Sequence, residues 1–292
     1  MSSTSYGYDV RTERLRVVGL PELLAFLLAL GVVCWLAFPR ELHSTLRNAR
    51  LDAVSLSYMQ AWLKAKPDDY ELRLLMAREL IKLGRFSEAD AQLAYVAGND
   101  DRYGQEIAWL RLNRDFNRLM TIEPGNRAGT MLHFETAQQL DQQDWSGLDS
   151  EQRLRYARMA LLLGEVRRAA DAYQRIASAS MNASFWHEKA AKTLLAHGQY
   201  RAAARSHMDA MQASDNYGMR RRYFLAALAT LEAGGYHQEA LLLASTHERR
   251  FYQDKWVLYR LMRLAQAGGN LAQAQRYAIR LLKLPDDGKG TP

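Results

Sequence analysis

Residues 69–89 read DYELRLLMARELIKLGRFSEA. Three small residues organise the stretch: Ala77, Gly84 seven positions later, and Ala89 five positions after that. The order has a physical reading as a helix–turn–helix. A small residue on a first helix lets a second helix pack close, and glycine ends the first helix in a left-handed cap. The second alanine then falls where the paired helices touch.

The pattern recurs at Ala157, Gly164 and Ala169 and at Ala191, Gly198 and Ala203, then around Gly235 and Ala240 and around Gly269 and Ala274. Gly164 to Gly198 and Gly235 to Gly269 are each 34 residues, while Gly198 to Gly235 is 37. The turn around Ser214, Asp215 and Asn216 is expected to absorb the three extra residues. Five units at this spacing resemble the tetratricopeptide repeat (TPR), which implies an all-α, right-handed solenoid of stacked helix pairs over residues 51–284. Composition agrees: six prolines in 292 residues and few β-branched runs suit helices almost throughout.

Between Ala89 and Ala157 the register is lost, since Gly84 and Gly164 stand 80 residues apart, too far for two units and too near for three. Turn signals at residues 99–101 and 123–126 bracket expected helices over 103–121 and 127–142. A degenerate stretch around 100–150, of one or two units with lengthened helices, is the resulting expectation. After Leu284 the chain gives way to PDDGKG with no polar capping helix in view. A partner covering the last pair, or a longer chain, is expected from that, with 285–292 as a flexible tail.

Toward the other end, residues 20–38 read LPELLAFLLALGVVCWLAF, nineteen residues of which eleven are Leu, Val or Phe. At about 1.5 Å per residue this nearly matches a hydrocarbon core of roughly 30 Å. The reading is a transmembrane helix over 19–38, with Leu20, Leu24, Leu28, Trp35 and Phe38 facing the bilayer, a tail over 1–18 and a linker over 39–50. A signal peptide is disfavoured because Phe38-Pro39-Arg40 offers no small-residue cleavage site. A lipoprotein signal would need a small residue before Cys34. Three arginines in the short tail imply a cytoplasmic N-terminus and a repeat domain outside.

The formal net charge of +7 falls on residues 39–292, because the charges before them cancel. Such an excess favours anionic partners. No phosphate loop, paired-cysteine metal spacing or nucleophile elbow occurs, so no enzyme, cofactor or metal is expected. His187, His197 and His207, ten residues apart, are read as solvent-facing rather than as ligands. In tetratricopeptide units the first helix faces the groove. The position after the small residue carries Arg78, Arg158, Lys192, Ala229 and Arg263, a basic ladder suited to carboxylates. Trp186 and Trp256, with Phe185 and Tyr259, are expected beside it. Arg220-Arg221-Arg222 with Tyr223-Phe224 suggests a phosphate patch, but the membrane reading argues against nucleic acid.

Residues 51–58 (LDAVSLSY), 67–74 (PDDYELRL) and 77–80 (AREL), behind one apolar helix, look like the start of the large export proteins for Pel-type exopolysaccharide. That resemblance implies an inner-membrane, single-pass scaffold with periplasmic repeats, partnered by other envelope proteins and by polysaccharide. The outer-membrane barrel of those proteins has no counterpart after residue 284. The basic ladder suits acidic protein surfaces better than a cationic polymer. The alternative is a membrane-anchored adaptor for a different membrane complex.

Overall fold

The computed structural model describes residue 21, residues 24–29, residue 32 and residues 53–285. The chain divides into two compact units, Met1–Met76 and Ala77–Pro292. All regular structure among the described residues is helical.

In the first unit, α1 (Ala53–Ala65) buries Leu56, Met59 and Leu63 at helical spacing. Helix α2 (Tyr70–Lys82) begins behind Asp69. That carboxylate accepts the Leu72 N–H at 3.2 Å and the Trp62 indole N–H at 3.2 Å. One side chain thus caps α2 and ties it to α1.

The expected transmembrane helix over 19–38 is not upheld. No helix among the described residues is long and apolar enough to cross a membrane. The longest have 17 residues, and they carry Arg111, Arg114 and Asp115 or the run Arg220–Arg222. Charges at a bilayer centre cost about 2.5–3.5 kcal/mol each, which bars such helices from lipid. Within 19–38, the described residues are helical, and Leu24 and Leu28 are exposed. Leu20, Trp35 and Phe38 lie outside the described residues, as do 1–18, 39–50 and 286–292.

The second unit continues from the end of α2 through α3 (Phe86–Asn99), α4 (Gly104–Met120), the short α5 (Pro124–Arg127) and α6 (Met131–Gln142). Next come α7 (Ser150–Leu162), α8 (Val166–Ser178), α9 (Ala183–Ala196) and α10 (Tyr200–Gln212). The last four are α11 (Tyr217–Ala233), α12 (His237–His247), α13 (Lys255–Ala267) and α14 (Leu271–Lys283). Single 3₁₀ turns lie at Asp101–Tyr103 and Glu248–Phe251.

The five glycines read from the sequence are the positive-φ residues of the described chain: Gly84, Gly164, Gly198, Gly235 and Gly269, with φ from 70° to 79°. Each closes a first helix by the same pair of hydrogen bonds. At Gly164, for instance, its own N–H reaches the Leu161 carbonyl and the Glu165 N–H reaches that of Ala160. This is a Schellman cap, which requires left-handed backbone at the glycine. The second helix starts two residues later and brings Ala89, Ala169, Ala203 and Ala240 to full burial. Ala77, Ala157 and Ala191 are equally buried on the first helices, so backbones meet across methyl groups. The result is a repeat-like stack compatible with a TPR-like solenoid. The N-termini of α7, α11 and α13 are held by Asp149, Asn216 and Asp254, whose side chains accept backbone N–H groups.

Two details differ from expectation. The three extra residues between Gly198 and Gly235 do not swell the turn. They lengthen α11, which has 17 residues against 14 for α9 and 13 for α13. Just under one turn of helix is added at the N-terminus, where Asn216 still caps it. In the irregular stretch the helix expected over 127–142 begins only at Met131. Thr130 caps it, and Arg127 bonds back to the carbonyls of Met120 and Ile122.

Candidate functional site

The first helices α7, α9, α11 and α13 each keep one stripe toward solvent at positions i, i+4, i+7 and i+11, the spacing of one helix face, with Lys189, Ala226 and Arg260 half-buried in it. These stripes run Glu151–Leu162, Phe185–Ala196, Arg222–Ala233 and Trp256–Ala267 at matching distances from the capping glycine. The other sides of these helices supply the buried core, such as Tyr156, Ala191, Phe224 and Leu261.

Arg155, Arg158, Lys189, Lys192, Arg222, Arg260 and Arg263 lie on the stripes, with Glu151 as the one acid, so this face is basic. Part of that charge is already neutralised from within. Glu188 is the hub: Lys192 donates at 2.8 Å, Arg222 donates to both carboxylate oxygens at 2.6 Å, and the Tyr223 hydroxyl donates at 3.0 Å. Burial pushes the Glu188 carboxyl up, but the hydrogen bonds from Lys192 and Tyr223 and the charge of Arg222 outweigh it and hold it below the usual range. Glu232 pairs with Arg260 in the same way.

The four predicted ladder cations therefore separate into two kinds. Arg78 is paired with Glu106 at 3.0 Å, and Lys192 is paired with Glu188. Arg158 and Arg263 are exposed and make no ion pair among the described residues. Arg155 donates to the Asn117 amide oxygen at 3.3 Å and is acted on by the charge of Glu151, one turn earlier. The open cationic positions are thus Arg155, Arg158 and Arg263.

The aromatic residues divide as well. Trp186 turns inward and stacks on Tyr173 of α8, with ring centroids 6.0 Å apart and planes 18° apart. Lys189 lies over both rings, at 5.2 and 5.4 Å, a cation–π contact. Trp256 stays 53% exposed, and Phe185, at the same register position two units earlier, is also 53% exposed. Phe185 rather than Trp186 is the partner of Trp256 on this face, which register counting from glycine would have revealed.

The three histidines are not a solvent-facing set. His207 is buried, His187 is half-buried, and His197 alone is exposed, bonded to the Thr193 carbonyl at 2.9 Å. The Nδ1 atoms of His187 and His207 are buried with no hydrogen-bond partner. Burial lowers both imidazole pKa values. Among the described residues no group of His, Cys, Asp or Glu is placed to hold a metal.

The phosphate patch that Arg220–Arg222 resembles in sequence is partly taken up by ion pairs: Arg221 bonds Asp254 at 3.3 Å and Arg222 bonds Glu188. No protein-family model matches this chain, and a search of curated proteins finds no match.

Proposed function

We propose that this chain is a tetratricopeptide-type scaffold that binds an acidic polypeptide along the exposed stripes of α7, α9, α11 and α13. The observation that carries the reading is the constant register of those stripes, with open guanidinium groups at Arg155, Arg158 and Arg263 and exposed rings at Phe185 and Trp256. A guanidinium fork binds a carboxylate bidentately, and an exposed ring anchors an apolar side chain. Nucleic acid fits less well. Duplex DNA carries one charge per about 1.7 Å, whereas Glu188 and Glu232 leave the open cations sparse. A narrower form of the proposal places the scaffold in exopolysaccharide export, on the likeness of residues 51–80 alone.

Photo-crosslinking amino acids placed at positions 158 and 263 test the idea, with exposed Gln138 on α6 as control position. The expected result is one partner trapped from both stripe positions and not from the control. A synthetic peptide covering the partner's acidic segment then binds at least tenfold more weakly to the Arg158→Glu variant than to the parent chain. Equal trapping at all three positions, or an unchanged affinity after charge reversal, refutes the reading.

A further inference from the structure

The second helices carry a separate cleft. Helices α8, α10 and α12, with the turn at Gly198, line an open cleft of about 910 Å³ that also includes Leu194 and Met208. A volume of that order holds a ligand of several residues' size.

Several of its polar groups are already bonded, Arg167 to Gln199 and Gln174 to Ser206, but three charged ones are not. Asp171 on α8 and Asp209 on α10 line the cleft, and neither makes an ion pair or side-chain hydrogen bond among the described residues. Arg205 on α10 also lines it and is likewise without such a bond. Arg205 and Asp209 are four residues apart on one helix, but the basic residue comes first, the weaker order for such a pair. Neighbouring Arg201 shows what a satisfied group looks like here. It donates to Glu239 at 2.8 Å and lies 4.1 Å from the Tyr236 ring centroid, so its charge is already paired.

Asp209 is half-buried, and desolvation raises its pKa, against the opposing charges of His187 and Arg205. A carboxylate in that position gains from a cation brought by a ligand. His247, at the far wall, presents a buried Nδ1 with no partner, a further unmet group. A polyanion entering the cleft meets Arg205 but is repelled by Asp171 and Asp209. A polycation meets the two acids but is repelled by Arg205 and by Arg167, which also lines the cleft. Only a ligand carrying both signs close together satisfies both sets.

We propose that this cleft binds a polypeptide segment of mixed charge, in which a lysine or arginine beside an aspartate or glutamate meets Asp209 and Asp171 while the carboxylate meets Arg205. The site is independent of the first-helix face. A free zwitterionic amino acid shares the chemistry but would fill only a small part of the volume.

The test is fluorescence anisotropy on the purified full chain. Labelled octapeptides of alternating glutamate and lysine, of glutamate alone, of lysine alone, and of glycine and serine serve as probes. In a chain whose first-helix face is disabled by Arg158→Glu and Arg263→Glu, the alternating peptide is expected to bind saturably and at least tenfold more tightly than the other three. Arg205→Glu and Asp209→Lys are each expected to weaken it at least tenfold, with helical circular dichroism retained, and the exchange Arg205→Asp with Asp209→Arg to restore part of the loss. If either reversal unfolds the chain, Arg205→Gln and Asp209→Asn replace them with the same expectation. Gln138→Glu, exposed on α6 and outside both sites, leaves this binding unchanged. In that background, equal or tighter binding of the all-glutamate peptide, no binding of any probe, or cleft variants that bind like their parent overturns the proposal. Displacement by free lysine at concentrations comparable to the peptide also overturns it, in favour of a small zwitterion.

Discussion

Residues 150–283 and residues 101–148 belong to the same compact unit and are held together differently. In the first region four helix pairs meet through alanines and large apolar side chains, with Tyr173, Tyr223 and Phe224 almost wholly buried. Each pair ends its first helix on a positive-φ glycine. In the second region α4 and α6 pack without such a glycine, and a charged network joins them. Asn113 is buried and bonds the Trp109 carbonyl at 2.6 Å. Asp115 is buried and accepts from Arg114 at 2.8 Å and from Gln139 at 2.8 Å, while Arg114 also pairs with Asp90. Repeat packing relies on shape and tolerates little change in volume. The irregular stretch relies on a network whose members depend on one another.

Substitutions in the two regions, with Gly98 of α3 as a control, probe that contrast. The largest effect is expected from Phe224→Ala, which empties a fully buried site where the ring stacks on Phe251 at 4.9 Å. A loss of about 3–5 kcal/mol in urea unfolding is expected, with the apolar region failing as a cavity does. Asp115→Ala should cost about 2–4 kcal/mol by leaving the partly buried Arg114 and Gln139 without their shared acceptor. Asp115→Leu with Gln139→Leu should recover part of that. If the single and double variants are equally unstable, the network is not what holds the irregular stretch.

Gly164→Ala sharpens the role of the caps. Nothing lies within 4 Å of the added methyl, so its cost is conformational alone, roughly 1–2 kcal/mol for left-handed backbone. Gly98→Ala, inside α3 and equally free of neighbours, should instead stabilise by about 0.5 kcal/mol. Thermal melts of the pair that move in the same direction would break the argument.

The smallest effect is a pH dependence. Burial depresses the His207 pKa from 6.5, as it does those of His187 and His247. The unfolded chain therefore binds these protons first. Stability is full above the unfolded value and falls as pH drops from 6.5 toward the folded values. His207→Gln removes up to one proton from that difference, flattening the slope below pH 6.5 by at most about 1.4 kcal/mol per pH unit. The charged groups that act on His207 are Glu188, Lys192 and Arg222, and the Glu188 carboxyl is held below its usual range, away from this window.

Legibility follows the same division. The five glycines, the buried alanines and the helix pairs of 150–283 are readable because their constraints are local: a left-handed cap, a 34-residue period, a helix face. The start of α6 is not, because the short helix Pro124–Arg127 and the Arg127 bonds to two carbonyls depend on how the chain folds back. The ladder is legible as a row of positions but not as a row of free charges. Glu188 and Lys192, four apart, are readable as a pair, whereas Arg78 with Glu106 and Arg222 with Glu188 join residues 28 and 34 positions apart. The inward turn of Trp186 rests on Tyr173, from the preceding helix.

The amino-acid sequence alone determined the helical class, the helix pairs and the turns between them, since backbone conformation at glycine and side-chain periodicity act over a few residues. Tertiary structure alone decided which cations remain open, which aromatic faces solvent, and that a mixed-charge cleft forms on the second helices. Those depend on distances between residues far apart in the chain, and electrostatic and hydrogen-bond energies vary steeply with such distances.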